Sequence, residues 1–283
     1  MDKTDKHKKY GLEIGKGWER ERRKHFDEIV LAYDKARWDY PSVLFNDVIE
    51  YNGNRPGKNK KALEIGAGTG KATVPFLDAG YNVTAVEMGS NMTDFLLYKF
   101  KEYPNFNVIT STFEDVFLED NDYDLIYAAS SFHWIDPEIG CPKAFNSLKH
   151  GGAIALFRSS NVITENEMLY EDIQEVYKEY YHKPYKRPEE KEDLWSPKEI
   201  LRGYGFDNLE DYGFTDISKK LYDATLTYTA DDYIALMETM SDHRSLPDND
   251  RKSLYKGIKK AIHKHGNTIT KNYTFQLYMG KKP

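Results

Sequence analysis

The chain has a single cysteine, Cys141. No internal disulfide can form, which fits a reducing compartment, and a cytoplasmic location is expected. There is no apolar run long enough to span a bilayer. The first ten residues, MDKTDKHKKY, are basic but lack an apolar stretch, so a secretory signal is not expected. Positive charge is not in excess either. Forty Lys and Arg stand against 46 Asp and Glu, a net charge of −6. That balance argues against charge-driven binding to nucleic acid or to an anionic membrane surface. Internal repeats and low-complexity tracts are absent. His263-Lys264-His265 has no further ligands at suitable spacing, so no metal site is expected, and cations at a helix end explain it more plainly. What the chain does have is 283 residues, 40% of them hydrophobic. This is enough for one large α/β domain, or for such a domain with a sizeable insertion. Tyrosine is abundant, at 22 residues.

The stretch Ala62 to Thr73, ALEIGAGTGKAT, organises the rest. Ala62-Leu63-Glu64-Ile65 reads as a short buried strand. Gly66-Ala67-Gly68-Thr69-Gly70 follows at once, and a helix can start near Lys71. Strand, glycine turn and helix form the first half of a parallel βαβ unit. Glycines let such a turn take unusual dihedrals and let a ligand lie against bare backbone. The helix start adds free N–H groups and the positive end of a dipole. A mononucleotide P-loop needs G-x-x-x-x-G-K-[ST]. Ile65 stands where its first glycine belongs, and Ala72 where its hydroxyl belongs. A dinucleotide fingerprint needs G-x-G-x-x-G or Ala in the last place, and Lys71 stands there instead. Glu64 beside the turn would repel a diphosphate and attract an ammonium. A ligand with an amino-acid end and a nucleoside end suits the turn better.

Further marks follow in order. Asn82 to Val86 reads as a second strand ending in Glu87-Met88. Asn107 to Thr110 reads as a third, followed by Ser111-Thr112-Phe113-Glu114-Asp115. Tyr123 to Ser130 reads as a fourth, and Gly151 to Phe157 as the turn into a fifth. With Glu64-Ile-Gly-Ala-Gly-Thr-Gly70, this series resembles the class I S-adenosylmethionine-dependent methyltransferases over roughly residues 60 to 160. It looks most like the type 11 small-molecule methyltransferases related to trans-aconitate methyltransferase. The resemblance implies a Rossmann-like α/β three-layer sandwich. Its sheet would have seven strands, mostly parallel, with an antiparallel last strand, and there would be N-terminal helices and a helical insertion. It also implies S-adenosyl-L-methionine as cofactor, held by Glu64, Gly66, Ala67, Gly68, Gly70, Glu87, Met88, Thr112, Phe113 and Ser130. In the family the acid at the Glu87 position binds the ribose hydroxyls. Many relatives carry aspartate where Thr112 stands, to meet the adenine amino group. Here that contact would pass to backbone or to Glu114.

Four regions are expected: an N-terminal helical cover (1–52), the cofactor-binding core (53–160), a helical insertion over the pocket mouth (161–212), and the return to the sheet (213–283). Trp18 to Arg37 reads as one amphipathic helix, with Phe26, Ile29, Val30 and Tyr33 on a shared face. Pro41 suits a first helical position. Tyr33-Asp34-Lys35-Ala36-Arg37-Trp38-Asp39-Tyr40-Pro41 resembles a Y-x-x-x-R-P-x-Y-P stretch that lies over the cofactor site in several such enzymes, with Trp38 replacing the first proline. Met168 to Tyr181 reads as a helix, as do Thr229 to Met240 and Asp248 to His265. Thr268 to Met279 alternates as a closing strand.

Methyl transfer from a sulfonium asks the protein mainly for alignment and a dry site. A base is needed only when the nucleophile carries a proton. Ser131-Phe132-His133-Trp134 directly follows the fourth strand. His133 is the candidate base, since its ordinary pKa suits proton movement near neutrality, and a structural histidine is the plainer alternative. Tyr33 and Arg37 complete the candidate catalytic set, with Arg37 a bidentate donor for a carboxylate. Tyr40, Trp134 and Trp195 are candidate walls for a small-molecule acceptor. Two other readings stay open: a protein that binds the cofactor or its demethylated product without catalysis, and an NAD-dependent oxidoreductase. A nucleic-acid methyltransferase is disfavoured, because Ser130-Ser131-Phe132-His133 stands where an N/D-P-P-Y/F tetrad would be.

Overall fold

The computed structural model describes residues 25–53, 59–162, 167–185 and 208–283. Seven strands form one sheet in the order β3-β2-β1-β4-β5-β7-β6. They are β1 Lys61–Ile65, β2 Asn82–Glu87, β3 Phe106–Thr110, β4 Tyr123–Ala129, β5 Leu148–Val162, β6 Thr215–Thr229 and β7 Thr268–Lys281. The pairs β1–β2, β1–β4, β2–β3 and β4–β5 are parallel. β7 runs antiparallel between β5 and β6. This is the architecture expected from the sequence. The order reverses at β1, so its carboxyl end and those of β2 and β4 flank a crevice, where open α/β sheets bind ligands.

Among the described residues the α-helices of four residues or more are α1 Val30–Ala36, α2 Ser42–Tyr51, α3 Thr73–Asp78, α4 Ser90–Lys99, α5 Pro137–Ser147, α6 Glu167–Tyr177, α7 Ala230–Met237, α8 Ser241–Arg244 and α9 Asp248–Lys264. Strand alternation divides the core into two layers. Ala62, Val83, Leu125 and Tyr127 face Leu44, Val48 and Phe76 of α2 and α3. Leu63, Ile65, Ile126 and Ala128 face Cys141 and Ala144 of α5. A third cluster joins Leu169 and Ile173 of α6 to Leu236 of α7, Leu254 and Ile258 of α9, and Ile269 at the start of β7.

Several local expectations are corrected. The helix expected across 18–37 is interrupted within its described part at Ile29 (φ −130°, ψ 31°). Pro41 is the residue before α2, not its first turn, because its ψ of 133° is extended. β5 runs past residue 160 to Val162, drawn on by pairing with β7 as far as Asn272. The 168–181 helix changes to a π-helical turn at Lys178–His182. The helix from Thr229 ends at Met237, and α8 is a separate short helix. Thr229 does start it, its hydroxyl accepting from the Asp232 N–H at 3.2 Å. Within the 161–212 region, α6 packs against α9, and none of residues 167–185 lines the cavity described below. Trp195 lies outside the described residues.

Candidate functional site

A cavity of about 540 Å³ opens at the carboxyl ends of β1, β2 and β4 and is roofed by residues 26–40. Its floor is the glycine turn. Gly66 has φ +66°, and a Cβ there would stand 2.6 Å from Ser131 Cβ. The crossing of β1's end with β4's end therefore requires glycine twice over, for dihedral and for space. Gly68 has φ +56° and nothing within 4 Å of where its Cβ would stand. Its bare backbone faces open space, a cradle for a ligand. Gly70 faces Phe100 and Leu96 instead and does not line the cavity.

Glu87 ends β2 beside this turn. Its Oε2 accepts from the Gly68 N–H at 2.8 Å and its Oε1 from the Gly89 N–H at 3.1 Å. Burial pushes its carboxyl pKa up, and the N–H groups of Gly68, Gly89 and Met88 oppose that. Each carboxylate oxygen keeps lone-pair capacity for a further donor. Ala67, Met88, Thr112, Phe113, Glu114 and Ser130 also line the cavity. The Thr112 hydroxyl is already used, donating to Asp115 Oδ2 at 2.7 Å and accepting from the Asp115 N–H at 3.2 Å.

Glu64 does not line the cavity. Strand alternation sends it to the opposite face from Ile65. There it is 1% exposed and accepts at Oε2 from Thr73 Oγ1 (2.6 Å) and from the hydroxyl of its register partner Tyr127 (3.0 Å). Its Oε1 is buried and has no hydrogen-bond partner among the described residues. Burial raises its pKa to about 7, against the pull of the two hydroxyl donors.

The roof is aromatic. Phe26 meets Tyr33 and Trp134 edge-on, with ring centres 5.7 and 6.3 Å apart. Asp27, which the sequence analysis missed, ties the roof to α4. Its Oδ1 accepts from the Met92 N–H at 2.8 Å, and its carbonyl accepts from Asn91 Nδ2 at 3.0 Å. No local pattern marks this contact, which exists only between distant segments. Tyr40 donates to Ser130 Oγ at 2.8 Å. Ser130 follows β4 with φ +53°, a strained value for a residue with a side chain. Burial raises the Tyr40 pKa well above the ordinary phenol value, so it keeps its proton.

Arg37 enters from the loop after α1. Its Nη2 donates to the Thr239 carbonyl at 3.0 Å and touches Met240 Sδ at 3.3 Å. Its guanidinium carbon lies 5.0 and 5.3 Å from the ring centres of Tyr33 and Trp38. Its Nε is buried and has no hydrogen-bond partner among the described residues. Of the three catalytic candidates, Tyr33 and Arg37 line the cavity and His133 does not. Phe132–Trp134 is a single 3-10 turn, on which neighbouring side chains diverge by about 120°. Trp134 takes the cavity direction and His133 is turned from it, with the two ring centres 5.1 Å apart.

Among the described residues no group of three His, Cys, Asp or Glu could hold a metal ion, and no helix is long and apolar enough to cross a membrane.

The family model for a methyltransferase domain matches residues 63–156, the span that builds the floor of this cavity. Over those residues the chain is similar to methyltransferase domains. It is 30% identical over 131 residues to an uncharacterised methyltransferase of Mycobacterium tuberculosis, covering 46% of this chain and 50% of that one. The match thus spans about half the length of the mycobacterial relative. An uncharacterised methyltransferase of Schizosaccharomyces pombe is 26% identical over 243 residues, 84% of this chain and 86% of that one. A protein from Anaeromyxobacter dehalogenans assigned as a type II methyltransferase has the same fold, with a TM-score of 0.58 at 17% identity over 87% of this chain and 98% of that one.

Proposed function

We propose that the protein transfers a methyl group from S-adenosyl-L-methionine to a small acceptor bearing a carboxylate, and that it works in the cytoplasm. The observation that carries this reading is the pairing at the cavity floor. A glycine with empty space beside it stands next to a carboxylate whose two oxygens are fixed by backbone N–H groups. That arrangement suits a nucleoside diol, and it fits the cofactor on this chain's own geometry. When bound, the cofactor supplies an electrophilic methyl group on a sulfonium.

The residues of the chain then have distinct tasks. Glu87 accepts from the ribose hydroxyls, and Gly68 lets the ligand approach backbone. Phe26, Tyr33 and Trp134 exclude water from the cavity. Arg37 has its charge spread over a planar group held at one end by Thr239, leaving the other terminal nitrogen, Nη1, to bind the acceptor carboxylate. Near neutrality a carboxylate oxygen carries no proton, so such an acceptor needs no general base. This accords with a cavity wall from which His133 is absent and on which Tyr40 holds its proton. The NAD reading is weakened by Lys71, which occupies the last fingerprint position and is ion-paired to Asp39 at 2.8 Å.

The test is calorimetric titration with S-adenosylmethionine, S-adenosylhomocysteine and NAD, followed by transfer of labelled methyl to a panel of small carboxylic acids. Micromolar binding of the adenosyl ligands, lost in Glu87→Ala, together with labelled ester formation, is the expected result. Adenosyl binding with no transfer to any acceptor would favour a non-catalytic binder. Binding of NAD alone would refute the cofactor assignment.

A further inference from the structure

α5 begins behind the cavity. Asp136 caps it, accepting from the Glu138 N–H at 3.0 Å, and Pro137 starts the first turn. The helix then runs along the back of the 111–116 segment, whose front lines the cavity. Lys143, at the end of its second turn, reaches that segment in three places. Its Nζ donates to the Glu114 carbonyl at 2.9 Å and to the Val116 carbonyl at 2.5 Å, and it lies 5.4 Å from the centre of the Phe113 ring. The segment is itself a single tight turn, with the Val116 N–H donating to the Thr112 carbonyl at 3.0 Å. The carbonyls leaving such a turn lack intrasegment donors, and a cation is a strong partner for them. Lys143 does not line the cavity.

The position of the segment gives the contact its meaning. Ser111 leaves β3 with its N–H on the Glu87 carbonyl at 3.0 Å. A ligand whose ribose meets Glu87 at the end of β2 therefore presents its base one strand further on, to Thr112, Phe113 and Glu114. The Thr112 hydroxyl is engaged with Asp115. Recognition of the base edge is left to the shape and backbone of this turn.

We propose that Lys143 is a positioning residue for the cofactor. By holding two carbonyls and one ring of the 113–116 turn from behind, it fixes the surface that distinguishes adenine from other purines. The inference rests on the adenosyl reading of the cavity given above. It predicts that loss of the ammonium loosens base selection without removing any group that touches the ligand.

The experiment compares wild-type protein with Lys143→Met, which keeps the aliphatic stem, and with Lys143→Arg, which restores a cationic donor. For each, calorimetry gives the dissociation constants of S-adenosylhomocysteine and of its deaminated analogue S-inosylhomocysteine, and the Tm is recorded alongside. The Met variant should bind S-adenosylhomocysteine about tenfold more weakly and show a reduced adenosyl-to-inosyl preference, while Arg recovers much of both. Two results would overturn the proposal. One is an unchanged preference in the Met variant, whether or not its Tm falls. The other is equal weakening of both ligands in Met and Arg alike, the signature of a merely structural residue. Failure of the wild-type protein to bind S-adenosylhomocysteine at all would overturn the cofactor reading instead, and this inference with it.

Discussion

Glu64 makes a quantitative prediction about stability and pH. Its carboxyl is 1% exposed, has one oxygen without a partner among the described residues, and has its pKa raised by burial from 4.5 to about 7. Between those two values the folded protein holds a proton that the unfolded chain has lost. Stability from this group is therefore complete below pH 4.5, falls as pH rises through the window, and is gone above about 7. At about 1.4 kcal/mol per pH unit the gap amounts to something on the order of 3 kcal/mol. Solvent screening does not reduce it, because the group is buried. Glu64→Gln keeps an oxygen for Thr73 and Tyr127 and removes the charge. Its amide nitrogen, with two N–H groups, is left unpaired where the protonated acid leaves one O–H, a comparable cost of about 1–3 kcal/mol. The variant should therefore match the wild type near pH 5 and exceed it at pH 8 by roughly 1–3 kcal/mol, or about 2–6 °C in Tm. Urea denaturation of both proteins from pH 5 to pH 8 measures this. Other groups contribute to each curve, so the informative quantity is the difference between the two curves. A difference that stays flat with pH, or a Gln variant less stable than wild type at pH 8, would show that Glu64 is ionised at little cost in the folded protein.

The glycine turn predicts a contrast. Gly66→Ala forces a methyl group against Ser131 at a positive φ and should cost roughly 2–5 kcal/mol, whereas Gly68→Ala meets only open space and should cost roughly 1–2 kcal/mol, both read by urea melts. Gly68→Ala should nevertheless lose S-adenosylhomocysteine binding, and retention of wild-type affinity would mean that the ligand does not lie on this backbone. Tyr40→Phe removes one hydrogen bond to Ser130 and should destabilise by about 0.5–1.5 kcal/mol; no change in denaturation midpoint would place that hydroxyl in contact with water instead. Arg37→Met should raise the acceptor KM by about tenfold or more with kcat little changed, and a fall in kcat alone would remove Arg37 from acceptor binding.

What could be read in the sequence was what depends on neighbours along the chain. The glycine turn, the five strands around it and the cap at Thr229 are local chemistry, in which a few adjacent residues dictate a dihedral, a period or a hydrogen bond. Glu64 shows where local reading goes astray. It sits two residues before the turn, and its charge draws attention to a ligand. The alternation of Leu63 and Ile65 already places it on the opposite face, so strand periodicity was the stronger signal. His133 and Trp134 differ by the phase of a single 3-10 turn, which nothing in the sequence records. The break at Ile29 lies in a run with neither glycine nor proline, and no residue there forbids a helix. What accompanies the break is tertiary, the docking of Asp27 on the first turn of α4.

Lys143 is the furthest case from legibility, and the reason is physical. Its partners are carbonyl oxygens, which every residue possesses, so the contact leaves no mark on the sequence of the 113–116 turn. The same holds for Arg37, whose one anchored nitrogen meets the Thr239 carbonyl 202 positions away. Side chains that bind ligands through their own functional groups leave residue-type patterns. Side chains that shape a site by holding backbone leave only geometry. In this fold the floor of the cavity is of the first kind, and the wall behind the base and the Arg37 anchor are of the second. On the proposed reading, the acceptor end of the cavity is shaped by contacts from three separate regions, Tyr33–Arg37, Trp134–Ile135 and Thr239–Met240. Substitutions there should change which molecule is methylated while leaving affinity for the adenosyl ligands nearly unchanged.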